Sequence, residues 1–172
     1  MRTLVLGGIR SGKSLWAEQL LSRADGPVCY LATGDGGGDD EFSARVAAHR
    51  LRRPTHWTTV ETTDVATQLR AEPTPTLVDD IGGWLVAAMD RRAAWTGGSV
   101  RDDVSELTSA VSAFTAPLAL VSPEVGLTLV PTTASGRLFT DELGTLNQQL
   151  AAVCDQVVLV VAGQPLTIKE PR

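Results

Sequence analysis

The sequence predicts an α/β protein with a doubly wound, mostly parallel sheet that carries helices on both faces. Three observations indicate this fold class. Apolar segments alternate with helical segments, the apolar segments are continuous rather than two-faced, and a glycine-rich turn joins the first strand to the first helix. Strands that are apolar throughout are typical of parallel sheets that helices cover on both sides.

In the amino-terminal half, apolar runs bounded by Gly, Pro or Asp predict strands, and apolar periodicity after a polar start signal predicts helices. Asp39 or Asp40 is expected to cap the second helix, and Thr63 or Asp64 the third. In chain order the elements are a strand at 2–6, a helix at 14–23, a strand at 27–33, a helix at about 41–52, a strand at 56–61 and a helix at 63–71.

The carboxyl-terminal half continues the alternation. Its predicted elements are a strand at 74–80, helices at about 83–95 and 102–114, a strand at 117–122, a long helix at 136–154, and strands at 156–163 and 165–169. No internal repeat or linker interrupts the pattern. We therefore expect a single nucleotide-binding domain that covers residues 1–172.

Composition and charge exclude several classes of protein. With 43% hydrophobic and 20% charged residues, the chain has a globular composition. A formal charge of -5 gives no electrostatic reason to expect a nucleic-acid partner. Cys29 and Cys154 lack C-x-x-C spacing, so two reduced thiols are expected. We expect no membrane span, no signal peptide and a cytoplasmic location, because no long apolar run occurs and the first strand begins at once.

Residues 7–14 read GGIRSGKS and match the G-x-x-x-x-G-K-[ST] pattern of a phosphate-binding loop. The pattern lies between a predicted strand and a predicted helix, which favours a P-loop NTPase over an ordinary glycine-rich turn. Lys13 is expected to contact the β- and γ-phosphates of ATP or GTP, and the Ser14 hydroxyl to bind Mg²⁺. The predicted nucleotide-binding residues of the loop are Gly7, Gly8, Ile9, Arg10, Ser11, Gly12, Lys13 and Ser14.

Acidic residues follow two of the predicted strands. Either Asp79 or Asp80 could hold Mg²⁺ at the end of TLVDD, and either could instead cap the next helix. Glu124 follows the strand at 117–122 in a loop rich in Gly and Pro, which suits a catalytic or ribose-contacting carboxylate but equally a solvated loop acid. The pattern alone does not separate these alternatives.

The predicted helix at 41–52 ends in a histidine and several arginines. His49 shares a face with two apolar residues, and a histidine in that setting is more often packed than nucleophilic. Arg50, Arg52 and Arg53 could form a solvated helix end or bind phosphate near a triphosphate.

Five segments together resemble one enzyme family. They are GGIRSGKS at 7–14, ARVAAHRLRRPTHWTTVE at 44–61, LVDDIGGWL at 77–85, EVGLTLVP at 124–131 and GRLFTDELGTLNQQLA at 136–151. In this order they resemble the bifunctional adenosylcobinamide kinase/adenosylcobinamide-phosphate guanylyltransferase family of cobalamin biosynthesis. The H-R-x-x-R-P-x-x-W-x-x-V-E string beside GG-x-R-SGKS is the most distinctive part.

The resemblance implies a RecA-like fold and two reactions. The terminal phosphate of ATP or GTP passes to adenosylcobinamide, and GMP from GTP is then attached through a guanylylated histidine, giving adenosylcobinamide-GDP. By the same analogy His49 is the nucleophile, and Arg10 and Glu61 line the guanine-nucleotide site. Arg50, Arg53 and Glu124, which the pattern itself offers, complete the predicted nucleotide-binding residues. Asp79 is the metal-associated acid, and the expected assembly is a homotrimer.

The chain departs from the family pattern at three positions. Relatives often have Asn where this chain has Pro123, Asn near Ala87 and Arg near Thr140. These changes could weaken binding of the corrinoid or impair one of the two activities. Other functions also fit the phosphate loop: a single-activity small-molecule kinase, a nucleotide-hydrolysing switch, or a nucleotide-binding assembly module.

Overall fold

The computed structural model describes residues 1–24, 26–33, 56–71 and 73–171. Its strands are β1 Arg2–Gly7, β2 Val28–Ala32, β3 Trp57–Glu61, β4 Thr76–Asp79, β5 Leu118–Pro123, β6 Gln156–Val161 and β7 Gln164–Lys169. Its α-helices are α1 Lys13–Leu21, α2 Val65–Ala71, α3 Ile81–Arg91, α4 Arg101–Ala113 and α5 Ala134–Val153, and Ala94–Thr96 forms a 3₁₀ turn.

The seven strands form one sheet in the order β3-β2-β4-β5-β1-β6-β7. All neighbouring pairs are parallel except β6 and β7, which form an antiparallel hairpin at the edge. Ala162 and Gly163 join these two strands with φ of 50° and 77°, the left-handed pair that a tight hairpin turn requires. Strand β5 therefore lies between β1, which leads into the phosphate loop, and β4, which ends in the acidic pair.

Helices cover both faces of the sheet. On one face, α1 packs on an apolar cluster formed by residues of strands β1 to β6. On the other face, α2, α3, α4 and α5 enclose the larger cluster. The predicted fold class, a doubly wound and mostly parallel sheet with helices on both faces, is confirmed, whereas a single domain stays a prediction. None of the described helices is long and apolar enough to cross a membrane.

Side-chain caps determine where three of the helices begin. The Asp80 carboxylate accepts the N–H of Gly83, so α3 begins at Ile81, two residues before the predicted start. Asp64 accepts the N–H of Thr67 at 3.2 Å, as predicted for α2. Thr133 accepts the N–H of Gly136 at 3.1 Å, which starts α5 two residues early.

The predicted helix at 83–95 is too long at its carboxyl end. Helix α3 ends at Arg91, and Ala93 adopts φ 51° before the 3₁₀ turn begins. A left-handed residue cannot continue a right-handed helix. The acidic turn predicted at 34–40 and the helix predicted at 41–52 lie outside the described residues.

An ion pair joins the start of β1 to the residue before β6 at the amino-terminal end of the sheet. The Arg2 guanidinium contacts the Asp155 carboxylate at 2.7 Å, and the backbone N–H of Arg2 donates to the same carboxylate at 2.7 Å. These two hydrogen bonds from Arg2 lower the pKa of Asp155 to about 2. The ionised form of Asp155 is therefore favoured in the folded state.

We expect Asp155→Asn to destabilise the protein by about 1 kcal/mol at neutral pH, because this partly exposed pair is screened by water. The contribution of Asp155 is present above its unfolded pKa of about 3.9 and is lost as the pH falls toward 2. Urea unfolding at several pH values measures this difference. The gap between wild type and Asp155→Asn should close under acid conditions, whereas a gap that stays constant would contradict the ion-pair explanation.

Candidate functional site

The phosphate-binding loop connects β1 to α1 and depends on two glycines. A Cβ on Gly7 would lie 2.8 Å from the Val160 carbonyl oxygen and would also collide with the Ser11 side chain. Gly12 has φ 94° and approaches the Cα of Gly163 so closely that a Cβ would lie 3.2 Å away. A side chain at either position would collide with these neighbours. Because glycine has no Cβ, the chain can turn tightly into α1.

Neighbouring elements hold the loop in place. The Ser11 carbonyl accepts the N–H of Gly163 at 2.8 Å, and the Gly7 carbonyl accepts the N–H of Glu124 at 3.1 Å. The ammonium group of Lys13 lies over the loop, 3.2 Å from the Gly8 carbonyl oxygen. Because the first amides of a helix have no partner within that helix, the start of α1 and Lys13 offer the N–H and ammonium groups that an anion-binding site uses.

Asp79 faces the phosphate loop although its strand is not adjacent to β1. The hydroxyl of Ser14 donates to Asp79 Oδ1 at 3.4 Å, and the hydroxyl of Tyr30 donates to Asp79 Oδ2 at 2.6 Å. Helix α1 packs across β4 and β5, and so it brings Ser14 over the intervening strand. The structure thus places Lys13, Ser14 and Asp79 at one end of the sheet.

Asp80 has a different role from Asp79. Its carboxylate caps α3, and its backbone carbonyl accepts the hydroxyl of Thr33. Burial raises the pKa of Asp80; the Gly83 N–H opposes this shift, the Asp79 carboxylate adds to it, and Lys13 opposes it. From sequence, either aspartate could have capped the helix or held Mg²⁺. In the structure Asp80 caps α3, whereas Asp79 contacts Ser14.

Glu124 lies beside the loop but directs its carboxylate to its own turn. Its backbone N–H is bonded to Gly7, and its Oε1 accepts the N–H of Gly126 at 2.6 Å. At least one carboxylate oxygen is therefore occupied in holding the turn after β5. The predicted nucleotide contact by Glu124 stays a prediction.

Glu61 lies at the far side of the same edge. It ends β3 and pairs with Ala32, which pairs in turn with Asp79 on β4. With strands about 4.8 Å apart, β3 and β1 are separated by about 19 Å along the sheet. Glu61 thus lies two strands from Asp79, and its predicted place in the guanine-nucleotide site stays a prediction.

The predicted nucleophile and the arginines next to it are not among the described residues. His49, Arg50 and Arg53 all belong to the stretch at 34–55, which lies outside them. Their roles stay predictions. Within the described ranges, no group of three or more His, Cys, Asp or Glu residues could hold a metal ion.

The three departures from the family pattern lie on different elements. Pro123 ends β5 beside Gly7, and its carbonyl accepts the side-chain amide of Asn147 at 3.0 Å. Thr140 is half-buried in α5 and bonds the Gly136 carbonyl of its own helix at 2.8 Å. Ala87 is half-buried in α3. Of the three, Pro123 alone pairs with a residue of the phosphate loop.

Sequence reasoning missed Tyr30, Gly163 and Asn147. The contact between Tyr30 and Asp79 joins β2 to β4, and no pattern in the sequence gives that strand order. Gly163 ends a predicted strand, but its contact with the loop depends on the hairpin. Asn147 lies in a predicted helix at an apolar position, and a buried polar residue on a core-facing stripe is a signal that could have been used.

Comparison with known proteins identifies the family. The model of the cobinamide kinase/cobinamide phosphate guanyltransferase family matches residues 3–168. The chain belongs to this family. It is 38% identical to the bifunctional adenosylcobalamin biosynthesis protein CobP of Pseudomonas aeruginosa, with 98% of each chain covered. It is also 38% identical to CobU of Salmonella typhimurium, covering 98% of this chain and 100% of that protein.

Solved structures agree with the fold. An ATPase from the type III secretion system of pathogenic bacteria has a TM-score of 0.54 and 16% identity, covering 92% of this chain and 51% of the other. At that identity the likeness shows the fold alone. The family match confirms the predicted resemblance and the predicted class of enzyme, a cobinamide kinase and guanylyltransferase of cobalamin biosynthesis.

Proposed function

We propose that the chain phosphorylates adenosylcobinamide with ATP or GTP and then transfers GMP from GTP to the product, which yields adenosylcobinamide-GDP. The observation that carries this proposal is the position of Lys13, Ser14 and Asp79 around the start of α1. An ammonium group, a helix amino terminus, a hydroxyl and a carboxylate are the groups that phosphoryl transfer requires.

The residues present fit Mg²⁺, which we propose as the metal. Both candidate ligands offer oxygen, and Ser14 Oγ and Asp79 Oδ1 are 3.4 Å apart. Adjacent ligands of one Mg²⁺ at about 2.0–2.1 Å stand about 3 Å apart, so small movements suffice. A single carboxylate is enough, because Mg²⁺ usually completes its shell with water and phosphate oxygens. When bound, the ion neutralises charge on the phosphates.

In the kinase step, the amides of the loop and Lys13 would hold the phosphates of the donor. The aminopropanol hydroxyl of adenosylcobinamide attacks the γ-phosphorus, the bond from that phosphorus to the β,γ-bridging oxygen breaks so that ADP or GDP leaves, and the hydroxyl proton passes to solvent water. The loop and Lys13 stabilise the charge that develops on the leaving phosphate. The exposed apolar residues Ile9, Leu127, Leu129 and Val130 lie in the phosphate loop or in the segment that follows Glu124, and they suit a large acceptor with apolar faces.

In the transferase step, we propose that an imidazole nitrogen of His49 attacks the α-phosphorus of GTP and that pyrophosphate leaves. The phosphate oxygen of adenosylcobinamide phosphate then attacks the same phosphorus, and the P–N bond breaks. Neutral imidazole is available for this attack near neutral pH, since its ordinary pKa is about 6.5. Two displacements replace one difficult transfer.

The remaining predicted residues would serve the guanine nucleotide. We propose that Arg50 and Arg53 bind its phosphates near His49, and that Arg10 and Glu61 line its site. Glu61 ends β3 at the same edge of the sheet as Asp79, which supports its place beside the nucleotide. A cytoplasmic homotrimer is part of the same proposal, and the solution mass tests the assembly.

One sequential incubation tests the function. Adenosylcobinamide, Mg²⁺ and γ-labelled ATP should give labelled adenosylcobinamide phosphate, and unlabelled GTP should then convert this product to adenosylcobinamide-GDP. A single-activity kinase would stop after the first product. A switch would hydrolyse nucleotide without dependence on the corrinoid, and an assembly module would turn nothing over.

A further inference from the structure

The hydroxyl of Tyr30, the only tyrosine of the chain, lies against the proposed metal site. Tyr30 is 3% exposed, and its hydroxyl donates to Asp79 Oδ2 at 2.6 Å. A hydrogen bond of this length to a carboxylate is charge-assisted and strong. The other oxygen, Oδ1, is the one that faces Ser14. The two oxygens of Asp79 therefore have separate partners.

Strand register explains how Tyr30 reaches Asp79. Tyr30 pairs with Leu77 in the parallel ladder, and Asp79 lies two residues further along β4. Residues two apart on a strand share a face, so Asp79 stands on the same face as Leu77. Helix α1 covers that face and packs with Tyr30 in one apolar cluster. The burial of the ring fixes the position of its hydroxyl.

We propose that Tyr30 is a positioning residue for the nucleotide-bound Mg²⁺. Its hydroxyl holds Oδ2 of Asp79, so that Oδ1 is directed at Ser14 and the metal. The inference rests on the proposed metal role of Asp79. A carboxylate that is already fixed by one oxygen loses less freedom when the other binds a metal, and partners of this kind contribute about 10–100-fold to metal affinity.

The test is the change Tyr30→Phe, which removes the hydroxyl and keeps the ring. Binding of a non-hydrolysable fluorescent GTP analogue is measured first in EDTA and then during a Mg²⁺ titration. We expect affinity in EDTA to be unchanged and the Mg²⁺ concentration at half-effect to rise about 10-fold. Thr3→Val is the matched control, because Thr3 is also buried, donates its hydroxyl to Gln156, and is the second residue of β1, at the opposite end of the sheet.

A double-mutant cycle separates positioning from a merely structural role. In the Asp79→Asn background, Tyr30→Phe should cause no further change in the Mg²⁺ response, because Tyr30 acts through Asp79. If Tyr30→Phe responds to Mg²⁺ as the wild type does, the inference about Tyr30 is overturned while the metal site stands. If Mg²⁺ does not strengthen binding even in the wild type, the proposed metal role of Asp79 fails and the inference fails with it.

Discussion

Lys13→Ala should lower kcat/KM for phosphorylation of adenosylcobinamide by about 10³-fold, which corresponds to about 4 kcal/mol of lost transition-state stabilisation. Lys13 is the first residue of α1 and carries a positive charge at the place where the phosphates are proposed to bind. Among the described residues its ammonium group bonds only the Gly8 carbonyl, at 3.2 Å, and the side chain is only half-buried. We therefore expect the stability to urea to change little.

Lys169→Ala is a control with the opposite expectation: stability should fall and activity should remain. The ammonium group of Lys169 binds the carbonyls of Ala151, Ala152 and Cys154 at the end of α5, with distances of 2.8, 3.3 and 2.5 Å. It lies far from the phosphate loop, at the end of the sheet where β7 finishes. This variant should lose stability and retain activity. Initial rates and urea unfolding of both variants test the assignment, and normal turnover by Lys13→Ala would contradict it.

Much of the fold follows from local patterns in the sequence. Continuous apolar strands alternating with helices predict a covered parallel sheet, and the described strands have that arrangement. The boundaries of α3 were harder to predict. Gly82 and Gly83 in its first turn each disfavour a helix by about 1 kcal/mol relative to Ala, so the sequence pattern placed the start at Gly83 and not at Ile81. The Asp80 cap starts the helix before these glycines.

The candidate site was predictable from sequence where one short segment contains all the groups that bind the ligand. The loop from Gly7 to Ser14 is such a segment, because its turn, its amides and its lysine are neighbours in sequence. The division between Asp79 and Asp80 was not predictable in this way. Adjacent residues on a strand point to opposite faces, and the choice between them depends on which face α1 covers. The face that α1 covers depends on the order in which the strands are connected, and local sequence does not specify that order. The contact of Tyr30 with Asp79 depends on the same strand order.

His49→Ala should abolish the covalent guanylyl-enzyme and lower GMP transfer at least about 10³-fold, because the nucleophile of a covalent mechanism has no substitute. With α-labelled GTP and Mg²⁺, label should remain on denatured wild-type protein and be released by acid, as expected for a P–N bond. Phosphorylation of adenosylcobinamide by ATP should continue in the variant, since Lys13, Ser14 and Asp79 are unchanged. The two activities would then be separated by one side chain.

The chain contains only two histidines, so the variants of His49 and His56 together test every histidine as the nucleophile. His56 is exposed and directly precedes β3, so His56→Ala should fold normally and keep the acid-labile label. Label retained by His49→Ala and lost by His56→Ala would move the nucleophile to residue 56. Label retained by both variants would exclude histidine chemistry, and the transfer would then have to use another nucleophile or direct attack by adenosylcobinamide phosphate on GTP. Because a P–N bond is stable in base, whereas an ester to serine or threonine is not, exposure of the labelled protein to alkali distinguishes these outcomes independently of mutation.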